Sequence, residues 1–448
     1  MLKVDTIINA KWVIPVEPAG VCLTEHSLVI KDGRISDILP QQDCSNQYHS
    51  DHTVSLNTHA LIPGLVNSHT HAAMSLFRGM ADDLPLMQWL QEHIWPAEST
   101  WVNAEFVESG TALAVAEMIR HGTTCINDMY FFPDVAAEVC SNLGIRAGIS
   151  LIVLGFPTVW AKDASEYIHK GLEIHDRFRH HPLISTCFGP HAPYTVDDNP
   201  LREIVTLAEE LDIPIQMHVH ETATEVQDAR QGSGMTPIQR LKKLEVISPR
   251  LMAVHMTAVE KEDMQTIAEG GAHVVHCPQS NLKLASGLCQ VQNWLDMGVN
   301  VCLGTDGAAS NNDLDMFGEM QSAALLAKVV SKNASALPAA AALRMATLNG
   351  AKAMGLEREI GSLEVGKAAD IAAIDLNHLA TTPVYDPISQ IVYAAGRDQV
   401  SDVWIAGKHL LNNRQLTQID QYEIIAKAQA WADKIKENSS DNNTNQET

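Results

Sequence analysis

The chain has 448 residues, 46% of them hydrophobic and 19% charged, with a formal net charge of -23. That composition excludes a disordered chain, and so acidic a surface repels phosphate backbones and anionic headgroups, which argues against nucleic acid and membrane as partners. The length exceeds one ordinary domain and fits a large barrel with a smaller companion.

Residues 1–60 read as short strands and turns. In LVIKDGRISDIL, Asp32-Gly33 sits between alternating apolar runs, a strong hairpin signal. MLKVDTIINAKWVIPVEP lacks the apolar run of a secretory leader, and no stretch is long and apolar enough to span a membrane. Eight cysteines are scattered without a C-x-x-C pair, as expected of buried thiols in a reducing compartment, so the expected location is cytoplasmic.

From 61 to 359 the texture changes. Eight short β-rich runs follow in order: LIPGLVNSHTH, TTCINDM, IRAGISLIV, LISTCFGPHAP, IPIQMHVHET, RLMAVHMT, GAHVVHCPQSN and VNVCLGTDGAAS. Amphipathic stretches such as LREIVTLAEEL and KEDMQTIAEG lie between them, and PAAAALRMATLNGAKAMG closes the set as a final helical stretch. Strands alternating with helices predict a parallel sheet, here the α/β class with a (β/α)8 TIM-type barrel; a doubly wound open sheet is the structural alternative. GSLEVGKAADIAAIDL and VSDVWIAGKHLL then return to short strands with glycine-bearing turns. Residues 360–425 are therefore expected to join 1–60 in a small β-sandwich domain formed from both chain ends. The polar stretch 436–448 is expected to be a disordered tail.

Most of the eight runs begin apolar and finish in His, Asp, Asn or Glu, and the C-terminal strand ends of a barrel form its active-site rim. The 20 histidines stand out, since His is the commonest metal ligand. His69 and His71, at i and i+2 on the first run, point the same way and can reach one ion. His218 and His220 repeat the spacing on the fifth run; His218 is the chosen ligand, three residues before Glu221, although the residues alone leave a swap with His220 open. Asp306, in LGTDGAAS, serves either as a helix N-cap or as the carboxylate of a three-His, one-Asp site suited to Zn2+ or Fe2+. His255 and His191 end the sixth and fourth runs, and each is either a hydrogen-bonded core histidine or a site residue. His276 stays unassigned.

PGLVNSHTH, MHVHE, AVHM and GTDGAASNN, in this order, resemble the amidohydrolase superfamily. MSLFRGMADDLPLMQWLQEHIWPAE, FGPHAPYT and NLKLASG are similar to its 5'-methylthioadenosine/S-adenosylhomocysteine deaminases. The resemblance covers nearly the whole chain. It implies one divalent metal ion per subunit, Zn2+ first with Fe2+ or Mn2+ as alternatives, held by His69, His71, His218 and Asp306. It places Glu221 at the purine N1 and makes His255 the partner of the attacking water, which gives Glu221, His255 and Asp306 as catalytic residues. It places Glu98, of WPAE, on the ribose hydroxyls and His191 against the purine ring, with Glu221 and Asp306 also touching substrate. No lysine sits at a bridging position, consistent with a mononuclear site.

The implied reaction is hydrolytic deamination of an adenine nucleoside by a cytoplasmic enzyme expected to form a homo-oligomer. After the third run, LGFPTVW is apolar and suits a methylthio group. The cations of that loop are Lys162 and Lys170, with no arginine, and Arg146 is expected to point elsewhere. These features favour 5'-methylthioadenosine over S-adenosylhomocysteine and adenosine. The alternatives are an s-triazine or N-ethylammeline type of aminohydrolase or chlorohydrolase on the same scaffold and, in another class, a non-catalytic binding protein of this fold.

Overall fold

The computed structural model describes residues 1–444, with side chains to residue 437. Each of the eight runs supplies one barrel strand: Leu65–Thr70, Thr123–Asp128, Arg146–Val153, Ile184–Pro190, Ile215–Val219, Leu251–His255, His273–His276 and Val301–Leu303. They pair in parallel, each with its neighbour in sequence. Most are buried along their whole length, because helices cover the outside and side chains fill the inside. That double burial is why they read as apolar runs and not as alternating ones.

The eighth strand returns to the first. The Asp306 N–H donates to the His69 carbonyl at 3.0 Å, and the Thr305 N–H donates to Asn67 Oδ1 at 3.0 Å. Gly304 permits the approach: a Cβ there would lie 2.8 Å from the His69 backbone nitrogen and carbonyl oxygen. The barrel thus closes at the point where two of the expected ligands sit.

Helices follow the expected amphipathic stretches. Asp198–Leu211 buries Leu201, Ile204 and Ala208 and stops at Asp212, which is left-handed at φ 55°. The alanine-rich stretch expected to form one helix forms two, Ala339–Met345 and Leu348–Ala353, interrupted where Thr347 Oγ1 donates to the Leu343 carbonyl at 2.7 Å. Residues 86–101 form a helical wall over one side of the barrel mouth. It contains a π-turn, Trp89–Ile94, just before Pro96, which has no N–H to give. On its approach, Lys283 Nζ lies 2.7 Å from Asp82 Oδ1 and fastens the preceding loop to the far rim.

Both chain ends meet in one eight-stranded sheet. Thr53–Pro63 pairs in parallel with Thr6–Val13 and antiparallel with Ile371–Asp375, which continues to Val400–Ile405 and Lys408–Asn412. Leu23–Lys31 and Arg34–Pro40 form the expected hairpin, with Asp32 at φ 52° and Gly33 at φ 75°. Ile8, Leu28, Leu61, Ile371 and Trp404 share its core. Arg146 opens the third barrel strand and points to this sheet, pairing with buried Asp370 at 2.9 Å. The last element is the helix Gln421–Thr444; of the stretch expected as a disordered tail, 445–448 lie outside the described residues.

Candidate active site

His69, His71, His218 and Asp306 converge at the barrel mouth, with one potential ligand atom from each lying within 4.8 Å of all the others. Their outer atoms are tied to fixed acceptors. His71 Nδ1 donates to the Met129 carbonyl at 2.5 Å, His218 Nδ1 donates to the His191 carbonyl at 2.7 Å, and His69 Nδ1 lies 3.1 Å from Gln216 Oε1. Bonds of this kind fix the tautomer and leave the Nε2 lone pairs facing inward. The Nε2 atoms of His69 and His218 are then only 3.1 Å apart, an arrangement of facing lone pairs that a cation between them relieves. Charge points the same way. Burial lowers the His69 imidazole to about 4 and holds His218 well below its usual range, whereas Asp306 outweighs the burial of His71 and lifts it to about 9. Three imidazole nitrogens and a carboxylate suit one divalent ion, which would take the place of the proton that Asp306 favours on His71, so the donor set fits the expected metal.

Asp306 is held for this purpose. Its Oδ2 accepts from Ser280 Oγ at 2.6 Å and Ser310 Oγ at 2.9 Å, while Oδ1 faces His71 Nε2 at 3.2 Å and His69 Nε2 at 3.5 Å. Burial alone would raise this carboxyl, but the two imidazoles facing Oδ1 hold it well below the usual range. His255 Nδ1 donates to Asn281 Oδ1 at 2.9 Å, leaving its Nε2 inward and 3.8 Å from Glu221 Oε2. Burial pushes the Glu221 carboxyl up to about 8, and the negative charge of Asp306 adds to it. His220 (φ 51°), His255 (φ 75°) and Asp306 (φ 63°) all take left-handed backbone at or just beyond strand ends. Each such residue costs ~1–3 kcal/mol, strain of the kind that re-aims side chains at functional sites.

His220 does not join the ligand group. Its Nδ1 bonds the Ala258 carbonyl at 2.8 Å, and its Nε2 accepts the Ile238 N–H at 3.3 Å, so of the second pair only His218 faces the group.

Above the group opens a cavity of about 660 Å3. His191, Glu221, His255 and Glu98 all line it. Glu98 Oε1 accepts from the Tyr130 hydroxyl at 2.8 Å, and burial raises its carboxyl to about 7. Leu154, Phe156 and Val159 form an apolar flank, joined by Trp89 and Ile94 from the helical wall. No lysine or arginine lines the cavity among the described residues. Lys170 turns away to the Trp160 carbonyl at 2.5 Å, and Arg146 is spent on Asp370.

Nothing in the sequence marks most of the residues that support this site. Gln216, Ser280, Asn281, Ser310 and Tyr130 carry no signal that a single sequence exposes, because each acts by contacting a residue distant in the chain. Asp128, which ends the second strand and accepts the Ala72 N–H at 2.6 Å, could have been found by the strand-end rule that located the others. The stretch NLKLASG contributes through two contacts: Asn281 holds His255, and Ser286 Oγ lies 3.5 Å from Glu221 Oε1.

Comparison with known proteins agrees with this geometry. The amidohydrolase family model matches residues 60–410. A 5-methylthioadenosine/S-adenosylhomocysteine deaminase of Saccharophagus degradans is 50% identical over 432 residues, 96% of this chain and 97% of that one. An adenosine deaminase of Xanthomonas campestris, crystallised with bound zinc, superposes with a TM-score of 0.96 at 50% identity, over 97% of this chain and 99% of that one. The atrazine chlorohydrolase TrzN of Arthrobacter aurescens superposes at 0.89 with 23% identity, over 95% of this chain and 99% of that one, which shows a shared fold alone. The chain therefore belongs to the amidohydrolase family and groups within it with the 5-methylthioadenosine/S-adenosylhomocysteine deaminases.

Proposed function

We propose that this protein is an adenine-nucleoside deaminase that converts 5'-methylthioadenosine and water to 5'-methylthioinosine and ammonia. The observation that carries this reading is the cavity itself: a three-His, one-Asp donor set at its base, a carboxyl raised to about 8 beside it, and a second carboxyl, Glu98, on the opposite helical wall. Zn2+ held by His69, His71, His218 and Asp306, with Fe2+ or Mn2+ as alternatives, would supply hydroxide near neutral pH by lowering the pKa of water toward ~7. The zinc in the 50% identical adenosine deaminase supports that choice.

The remaining steps belong to side chains. Glu98 accepts the vicinal ribose hydroxyls, and His191 packs against the purine. Asp306 and His255 Nε2 take the proton of the attacking water and aim its oxygen at C6. Glu221, its carboxyl raised by burial, gives its proton to N1, which makes C6 electrophilic as electron density shifts onto the ring. Oxygen adds to C6, the proton taken from the water passes to the exocyclic nitrogen, the C–N bond breaks to release ammonia, and the C6 hydroxyl returns a proton to Glu221 as the carbonyl forms. General acid–base assistance of this kind contributes ~10²–10⁴-fold.

The absence of a cation among the lining residues and the apolar Leu154, Phe156 and Val159 favour the methylthio group over the amino-acid tail of S-adenosylhomocysteine. Adenosine and S-adenosylhomocysteine rank below as secondary substrates. A panel of these three nucleosides, plus an s-triazine, tests the reading through ammonia or chloride release. The highest kcat/KM is expected for 5'-methylthioadenosine; a preference for S-adenosylhomocysteine would overturn the ranking, and chloride release without deamination would overturn the reaction.

The same reading places the enzyme in the cytoplasm as a homo-oligomer. Eight unpaired cysteines, seven of them buried, suit a reducing compartment, and exposed Leu379 and Tyr385 offer apolar surface that assembly would cover. No described helix is long and apolar enough to cross a membrane.

A further inference from the structure

We infer that Glu225 is a positioning residue that aims Glu221 by holding its backbone. The inference rests on the reading of Glu221 as the proton carrier.

The fifth barrel strand ends at Val219, and the chain turns through left-handed His220 into the helix Ala223–Ser233, whose N-cap Thr222 accepts the Glu225 N–H at 3.2 Å. In the usual capping box, a glutamate at this position turns back to the N–H of the cap residue itself. Glu225 faces that N–H as well and reaches further. Its Oε2 accepts the Glu221 N–H at 2.7 Å, and its Oε1 accepts the His220 N–H at 3.1 Å. On the other side, the Thr257 hydroxyl donates to the Glu221 carbonyl at 2.6 Å, while the N–H groups of Thr257 and Ala258 donate to the His220 carbonyl at 3.0 and 3.1 Å. Every backbone polar group of His220 and Glu221 is thereby pinned, with one carboxylate taking both donors.

The Glu221 side chain is held far more loosely. Its carboxylate has a 3.5 Å contact from Ser286 Oγ and lies 3.8 Å from His255 Nε2. Its aim is therefore set by the peptide units on either side of its Cα. A small rotation there is magnified at the end of a four-bond side chain, and a displacement of ~1 Å at a reacting group costs ~10²-fold in rate. A residue kept only to begin a helix would need neither of the two N–H groups that precede the cap.

The test uses the full-length, metal-loaded enzyme with 5'-methylthioadenosine and compares Glu225→Gln, Glu225→Asp, Val226→Ala and Glu221→Gln. Glutamine offers one acceptor and turns an amide donor toward the second N–H. Its kcat is expected to fall ~10–10²-fold with KM held within ~3-fold and metal content unchanged, and aspartate to recover part of the loss. Val226, buried on the same helix, is the stability control: its truncation lowers Tm while kcat stays within ~2-fold. Should Glu225→Gln fail to fold, Glu225→Asp carries the comparison, expected with reduced kcat and preserved KM. Two results overturn the inference while leaving Glu221 in place: Glu225 variants with wild-type kcat although Glu221→Gln is inactive, or a kcat loss that Val226→Ala reproduces at equal Tm. Normal turnover in Glu221→Gln would instead remove the reading beneath it.

Discussion

Replacing Glu98 by alanine should cost nucleoside turnover through the ribose alone. A hydrogen bond to a charged acceptor contributes ~1.5–3 kcal/mol, or ~10–10²-fold per bond. Two ribose hydroxyls on one carboxylate set an upper range of ~10²–10⁴-fold. The structure reduces this. Burial has raised the Glu98 carboxyl to about 7, so near neutrality part of the population must lose a proton before it can accept both hydroxyls. The Tyr130 hydroxyl loses its acceptor in free and bound enzyme alike, so that penalty cancels in kcat/KM. A loss of ~10²-fold remains as the expectation. The decisive assay is a cycle: wild type and Glu98→Ala, each with 5'-methylthioadenosine and its 2'-deoxy analogue. Wild type should lose ~10–10²-fold on removal of the hydroxyl, and the variant only a few-fold. Equal losses in both enzymes would show that Glu98 and the hydroxyl do not interact, and the ribose assignment would fail.

Glu221 must be protonated to donate to N1, and burial places its carboxyl at about 8. Activity should therefore fall as pH rises through that region, with the limb moved lower by a divalent cation nearby; a rate that stays flat well above it would remove Glu221 as the acid. Ser280→Ala frees one of the two hydroxyl bonds on Asp306 Oδ2 and should weaken metal affinity ~10-fold or more, read by competition with a chelator, while unchanged affinity would show that Ser310 alone suffices. Widening the apolar flank with Phe156→Ala should reduce kcat/KM for 5'-methylthioadenosine more than for adenosine, by ~10-fold if much of the ring covers the methylthio group; equal losses would place that group elsewhere.

The barrel was legible because its strands are buried on both faces and end in polar residues, so runs such as TTCINDM and VNVCLGTDG declare both a strand and its functional end. The metal group followed from that positional rule more than from H-x-H spacing, which by itself could not separate His218 from His220. What separates them is the left-handed turn at His220, which sends its imidazole to the Ala258 carbonyl. Backbone conformation of that kind is imposed by packing and leaves no mark on residue type. The same holds for Ser280, Asn281 and Tyr130, ordinary polar residues whose value lies in what the fold sets opposite them. Glu98 was reachable only by resemblance, since its helix looks solvated until residues 86–101 fold over the barrel mouth.

The most direct test of the metal assignment is a titration of chelator-treated protein with Zn2+, following ammonia released from 5'-methylthioadenosine. Deamination should be absent without metal and rise in proportion to zinc, with a break at one equivalent per chain that His218→Ala abolishes. Full turnover by metal-free protein, or a requirement for a second equivalent, would contradict a single catalytic ion held by His69, His71, His218 and Asp306.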